Sequence, residues 1–150
     1  GKGDWRNSAR AFQRVLASVP SDIGAMNNYG ISLLQVATNM QESNDPVDVS
    51  NAATQFEAAI LSLREAVRTN PEGEEPLYNL MQALLLSGRE EKALSLMNMV
   101  VDEQKSQSHF INLHAAILAQ LGQYGEAKRI LAPIQGEPLV SQNLLKLPSL

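Results

Sequence analysis

Gly88 and Gly122 stand 34 residues apart, and so do Ala93 and Ala127. Each glycine precedes its alanine by five residues, in Gly88-Arg89-Glu90-Glu91-Lys92-Ala93 and again in Gly122-Gln123-Tyr124-Gly125-Glu126-Ala127. An apolar stretch with helical spacing lies ahead of each glycine, Leu77 to Leu86 and Ile111 to Leu121. A self-similarity of this period constrains the fold more than any local propensity. A unit too small to bury its own apolar face must stack on its neighbours. The phase continues upstream. Ala59, Leu63, Ala66 and Pro71 repeat the second half of the pattern, and Gly3-Asp4-Trp5-Arg6-Asn7-Ser8 with Phe12 and Pro20 repeats it once more. Pro20 and Pro71 are 51 residues apart, one period plus 17. One repeat is therefore expected to carry a 17-residue insertion.

Composition agrees with helix. Leu and Ala supply 38 of the 150 residues and aromatics only 5%, a balance that favours helices over sheets. An apolar share of 44% with a net charge of −4 excludes an intrinsically disordered chain. Twelve Lys and Arg stand against sixteen Asp and Glu without a basic cluster, so the footprint of a nucleic-acid binder is missing. No apolar run reaches the ~18 residues of a membrane-spanning helix. Without cysteine there is neither a disulfide framework nor a thiolate metal site. The chain opens Gly1-Lys2-Gly3, with no initiator Met and no apolar targeting core. We read this as a cut inside a longer protein; no compartment is assigned, the cytoplasm being only the default.

A 34-residue helix–turn–helix with Gly at the hairpin turn, and Ala followed by a large apolar residue and a closing Pro, resembles the tetratricopeptide repeat. The resemblance covers roughly residues 3–135. It implies an all-α fold, a right-handed superhelix (solenoid) of antiparallel helix–turn–helix repeats. The chain is then one domain over 1–150, beginning in the second helix of a truncated repeat at 1–22. A repeat with an extended hairpin follows at 23–73, ordinary repeats at 74–107 and 108–141, and a C-terminal cap or tail at 142–150. Repeats thus begin near Ile23, Glu74 and Ser108. Three departures stand out. Met81 takes a position where the family prefers Gly, and where Gly30 and Ala115 comply, so contact with Ala93 should loosen. His114 replaces the customary Leu, and Pro133 should stop the last helix near Ala132.

Met26, Tyr29, Leu33, Val36 and Met40 recur at three- and four-residue steps, as do Ala52, Phe56, Ala59, Leu63 and Ala66. Both stripes run into the insertion. The expectation is that both helices grow by about two turns and meet at a loop around Ser43-Asn44-Asp45-Pro46, with Ser50 as N-cap. A long hairpin over about 37–55 results; an ordinary flexible loop is the alternative. Val140, Leu144 and Leu147 share one helical face near the C-terminus and are read as a cap.

In this family the first helix of each repeat lines a concave surface that takes extended or helical peptides. Carried over by register, the lining positions are Asn27, Asn28, Ile31 and Gln35, then Glu75, Tyr78, Asn79 and Gln82, then His109, Asn112, Leu113 and Ala116. Asn27, Asn28, Ile31, Tyr78, Asn79, Gln82 and Asn112 are the expected peptide-binding residues. Amides offer donors and an acceptor to a ligand's main chain, and Tyr78 a face with a polar tip. Asn28 and Asn79 serve either this purpose or helix packing. Family members that clamp the C-terminal carboxylates of heat-shock chaperones place Lys or Arg on these positions. None stands there in this chain, so that subclass is rejected.

No catalytic constellation emerges. His109 and His114, five apart, face different ways on a helix, and zinc needs three or four ligands. Neither a nucleophile elbow nor a phosphate loop is present. Glu72, Glu74 and Glu75 suit a helix start. Trp5 is expected in the core, and Met97 and Met99 in packing. The expectation is a non-enzymatic interaction scaffold or adaptor without cofactor or metal, its partner a protein or peptide rather than nucleic acid or membrane. The alternative is a structural subunit of a complex, contacting partners through the extended hairpin and the open ends at Trp5, Phe12 and Val19. Those open ends also offer self-association.

Overall fold

A computed structural model describes residues 2–134, and among them every regular element is helical. Two units divide the chain, Gly1–Ser87 and Gly88–Leu150.

The first unit holds α1 (Lys2–Ser18), α2 (Ile23–Gln41), α3 (Pro46–Thr69) and α4 (Glu74–Leu86). α2 packs against the other three, and α3 also against α4. Aspartates start the two long helices. Asp22 accepts a hydrogen bond from the Ala25 amide at 2.9 Å, and Asp45 from the Val47 amide at 2.9 Å. Each satisfies one of the four donors that a helix N-terminus leaves open. Pro46 occupies the first turn of α3, where its missing N–H costs nothing. Asp45 therefore caps α3 in place of the expected Ser50, which lies inside the helix and donates to the Val47 carbonyl. The Asp-Pro pair starts the helix five residues sooner than the hydroxyl would.

The hairpin α2–α3 has arms of 19 and 24 residues, against 13 in α4 and 10 in α5. Growth is thus unequal, and α3 takes the larger share. Residues 46–55 are helix, not flexible loop. At the turn, Ser43 Oγ donates to Asp48 at 3.0 Å and accepts from the Asp45 amide at 3.1 Å. Leu33, Leu34, Val36, Ala37 and Met40 are buried on α2, and Phe56, Ala59, Ile60, Leu63 and Ala66 on α3. The helices cross closely at Gly30. A Cβ there would lie 2.5 Å from Leu63 Cγ and 3.3 Å from the Ala59 carbonyl oxygen. Only glycine fits. Ser62 Oγ bridges the same crossing by donating to the Met26 carbonyl at 2.8 Å.

The second unit holds α5 (Glu90–Met99), α6 (Asp102–Lys105), α7 (Ser108–Gln120) and α8 (Tyr124–Leu131). α7 packs against α5, α6 and α8. Ala115, Leu118, Ala127 and Leu131 form a buried cluster, with Leu94, Ile111, Ile130 and Ile134 packed around it. Gly88 and Gly122 have φ of +81° and +80°. After α7, the Gly122 amide reaches the Ala119 carbonyl at 3.0 Å and the Gln123 amide the Leu118 carbonyl at 2.8 Å. That pair is the Schellman closure, which requires a left-handed residue and so selects glycine. α8 ends at Leu131, and Pro133 sits in a short 3-10 turn, Ala132–Ile134. Proline cannot supply the amide that another α-turn would need.

α2, α4 and α7 begin at Ile23, Glu74 and Ser108, where the repeat register places first helices. Met81 and Ala93 are both fully buried. Two packing expectations are corrected. Trp5 keeps 37% exposure, with Val15 and Val19 also exposed, because in its own unit α1 packs chiefly against α2. Met97 is buried, but Met99, the last residue of α5, is 78% exposed. The apolar face at Val140, Leu144 and Leu147 lies outside the described residues.

Candidate functional site

The first-helix positions of the first unit fall on α2 and α4, which are tied by amides. Asn79 Nδ2 donates to Asn27 Oδ1 at 3.0 Å, and Asn27 Nδ2 donates to Glu75 Oε1 at 3.1 Å. Asn27 and Asn79 are 6% and 9% exposed. A buried amide left unpaired costs about 1–3 kcal/mol, so this chain of bonds selects one register of α2 against α4. Asn28, the next residue on α2, is exposed.

Around the pair, Ile31 and Gln35 on α2 and Tyr78 and Gln82 on α4 are half-buried. Residues 27, 31 and 35 are spaced by four on α2, and 75, 79 and 82 by four and three on α4, so each set forms one stripe. Burial pushes the Tyr78 phenol up from its ordinary value. The surface is uncharged except for Glu75 and suits hydrogen bonding to a main chain.

Asn112 belongs to the second unit. It is buried and donates to the Ser108 carbonyl, one turn back, at 2.8 Å. Close by on α7, burial holds the His114 imidazole below its ordinary value; Lys105 and Arg129 add to this and Glu126 opposes it. Arg129 in turn donates to Glu126 one turn earlier and lowers its carboxyl. His109 stacks at a tilt on Phe110, with ring centroids 4.8 Å apart. Among the described residues no three His, Asp or Glu side chains gather as metal ligands do. No described helix is long and apolar enough to cross a membrane.

A second surface was not anticipated from the sequence. A cleft of about 150 Å³ opens over α2 between α1 and α3, with Arg6, Arg10, Tyr29, Leu33, Val36 and Gln55 on its walls and floor. A smaller hollow of about 50 Å³ adjoins it through Arg6 and Val36 and reaches Ser43 and Asp48 at the hairpin turn. Although the chain has no contiguous basic run, arginines four residues apart line up on a helix. The 6-10-14 spacing was the available signal.

A family model described as tetratricopeptide repeat matches residues 51–117, a span that runs from within α3 through most of α7. No curated protein and no solved structure matches the chain.

Proposed function

We propose that this chain, whose residues 51–117 match the tetratricopeptide repeat, a module of protein–protein interaction, is a non-catalytic scaffold that takes a peptide segment across α2 and α4. The observation that carries this reading is the Asn79–Asn27–Glu75 chain of hydrogen bonds. It holds the two first helices in register with their own polar groups satisfied, while exposed Asn28 and half-buried Ile31, Tyr78 and Gln82 remain at the surface. Asn28 and Gln82 match an extended main chain with donors and acceptors, and Ile31 and Tyr78 supply apolar area. Asn27 and Asn79 preorganise this surface rather than touch the ligand. Preorganisation lowers the ordering cost of binding.

The test is selection of short random peptides on the immobilised chain, followed by anisotropy titration of those recovered. Asn28→Ala/Tyr78→Ala/Gln82→Ala should weaken them by about a hundredfold, since each lost contact is worth roughly 1 kcal/mol, with helicity retained by circular dichroism. Unchanged affinity would sink the reading.

A second reading rests on the hairpin. Val47 and Val49 are 63% and 45% exposed beside its turn, a place where a subunit contact would bury apolar area. If the recovered peptides lose binding to Val47→Asp/Val49→Asp instead, recognition lies at the hairpin.

A further inference from the structure

We propose that the trough between α1 and α3 is a second docking surface, and that its occupant is an acidic protein segment in extended conformation. This goes beyond the α2–α4 surface and shares no residue with it.

The floor of the trough is a face of α2. Tyr29, Leu33, Val36 and Met40 succeed one another at three- and four-residue steps along it, a rise of about 16 Å at ~1.5 Å per residue, and Ser43 follows in the turn beyond α2. That matches some five residues of extended chain at ~3.3 Å each. One wall is basic. Arg6 and Arg10 of α1 line it, and Arg14 continues the row one turn on. All three are exposed, and none has a hydrogen-bonding or ion-pairing partner among the described residues. By contrast Arg68 and Arg129 each bind a glutamate three residues away. Across the trough stands the neutral Gln55.

Charge and spacing point to the same ligand. Successive arginines rise by about 6 Å along α1, close to the ~6.6 Å between alternate residues of an extended strand. Carboxylates at alternate positions therefore meet successive guanidiniums, whose planar forks favour bidentate pairing. The residues between them meet Leu33 and Val36. The row is a local exception on a chain of net charge −4, and such a field steers an anionic partner. Asp48, which accepts from Ser43 at the turn, marks the opposite end. The ligand's acidic portion consequently lies toward Arg10 and Arg14. A nucleic acid is disfavoured, because Tyr29 is the one aromatic lining the cleft and stacking needs successive rings. The heat-shock clamp is a different arrangement, since its cations stand on first helices and these stand on α1.

The experiment is fluorescence anisotropy of the full 150-residue chain with a labelled synthetic peptide bearing Glu at alternate positions and Leu or Ser between. The same peptide with Gln for Glu, and a labelled oligouridylate, run in parallel. Binding is expected for the Glu peptide alone, weakening as salt rises. Arg10→Gln should cost about tenfold and Arg6→Gln/Arg10→Gln/Arg14→Gln about a hundredfold or more. Arg64→Gln/Lys92→Gln/Lys128→Gln removes the same net charge elsewhere and should change affinity by less than about twofold. Circular dichroism checks helicity; should the triple α1 variant lose it, the single Arg10→Gln decides. Equal weakening by both triple variants, absence of saturable binding, or tighter binding of the oligouridylate would each overturn the proposal.

Discussion

The hairpins α2–α3 and α7–α8 are specified by different means. In α2–α3 the side chains of Asp22 and Asp45 cap both arms, and a glycine within α2 lets the arms cross at Leu63. In α7–α8 neither Gln107 nor Gln123 makes a side-chain cap. That hairpin relies instead on Gly122 in the turn and on Ala115 and Ala127 at the crossing, both fully buried. Long arms bury enough surface to need only correct starting points and a close approach. Arms of 13 and 8 residues depend on the turn itself, since isolated helices so short are marginal.

Mutations that bear on this contrast are ordered here by expected size. Leu131→Ala, which removes a fully buried side chain from the short hairpin's small cluster, should cost about 3 kcal/mol in urea unfolding. A loss below about 1 kcal/mol would mean that packing is not what holds α8. Gly30→Val should cost about 2–3 kcal/mol by overpacking against Leu63. Gly30→Ala should be less costly in a Leu63→Ala background than alone; additivity of the two would remove Leu63 as the reason for the glycine. Asp45→Ala and Asp22→Ala should each cost about 1 kcal/mol, and Gln107→Ala a few tenths at most. Equal effects at all three would erase the distinction in capping.

The smallest effect is one of pH. His114 has a folded-state pKa held below its ordinary 6.5 by burial first, with Lys105 and Arg129 adding to this and Glu126 opposing. The unfolded chain therefore takes up the proton more readily. Stability from this group is full above 6.5 and is lost as pH falls from there through the lowered folded value. His114→Gln should flatten that part of a stability–pH curve. A slope unchanged by the substitution would place its origin elsewhere.

Periodic features were legible before any coordinates. The starts at Ile23, Glu74 and Ser108 and the turn glycines at 88 and 122 each sit in a local pattern that repeats. The stop at Pro133 follows from one residue's chemistry. Features that depend on a distant or missing neighbour were not legible. Asn27 and Asn79 are 52 residues apart, and nothing local to either distinguishes an amide that packs from one that waits for a ligand. Trp5 and Met99 sit where a core residue belongs in the repeat, yet burial needs a covering helix. At the cap, the expected loop around Ser43-Asn44-Asp45-Pro46 already ended on Asp45-Pro46, the stronger local signal, and Ser50 was the wrong residue to read as its cap.

The long hairpin has a mechanical consequence for how such a chain can change length. Each residue added to or removed from α3 rotates everything beyond it by about 100°. A single deletion between Ala52 and Phe56 would swing Ala52, now 3% exposed, about a quarter-turn out of its seat against α2. Opposing α2 positions would have to shift in step to restore the fit. The two arms therefore behave as meshed gears, free to lengthen together by near-whole turns and locked against single steps.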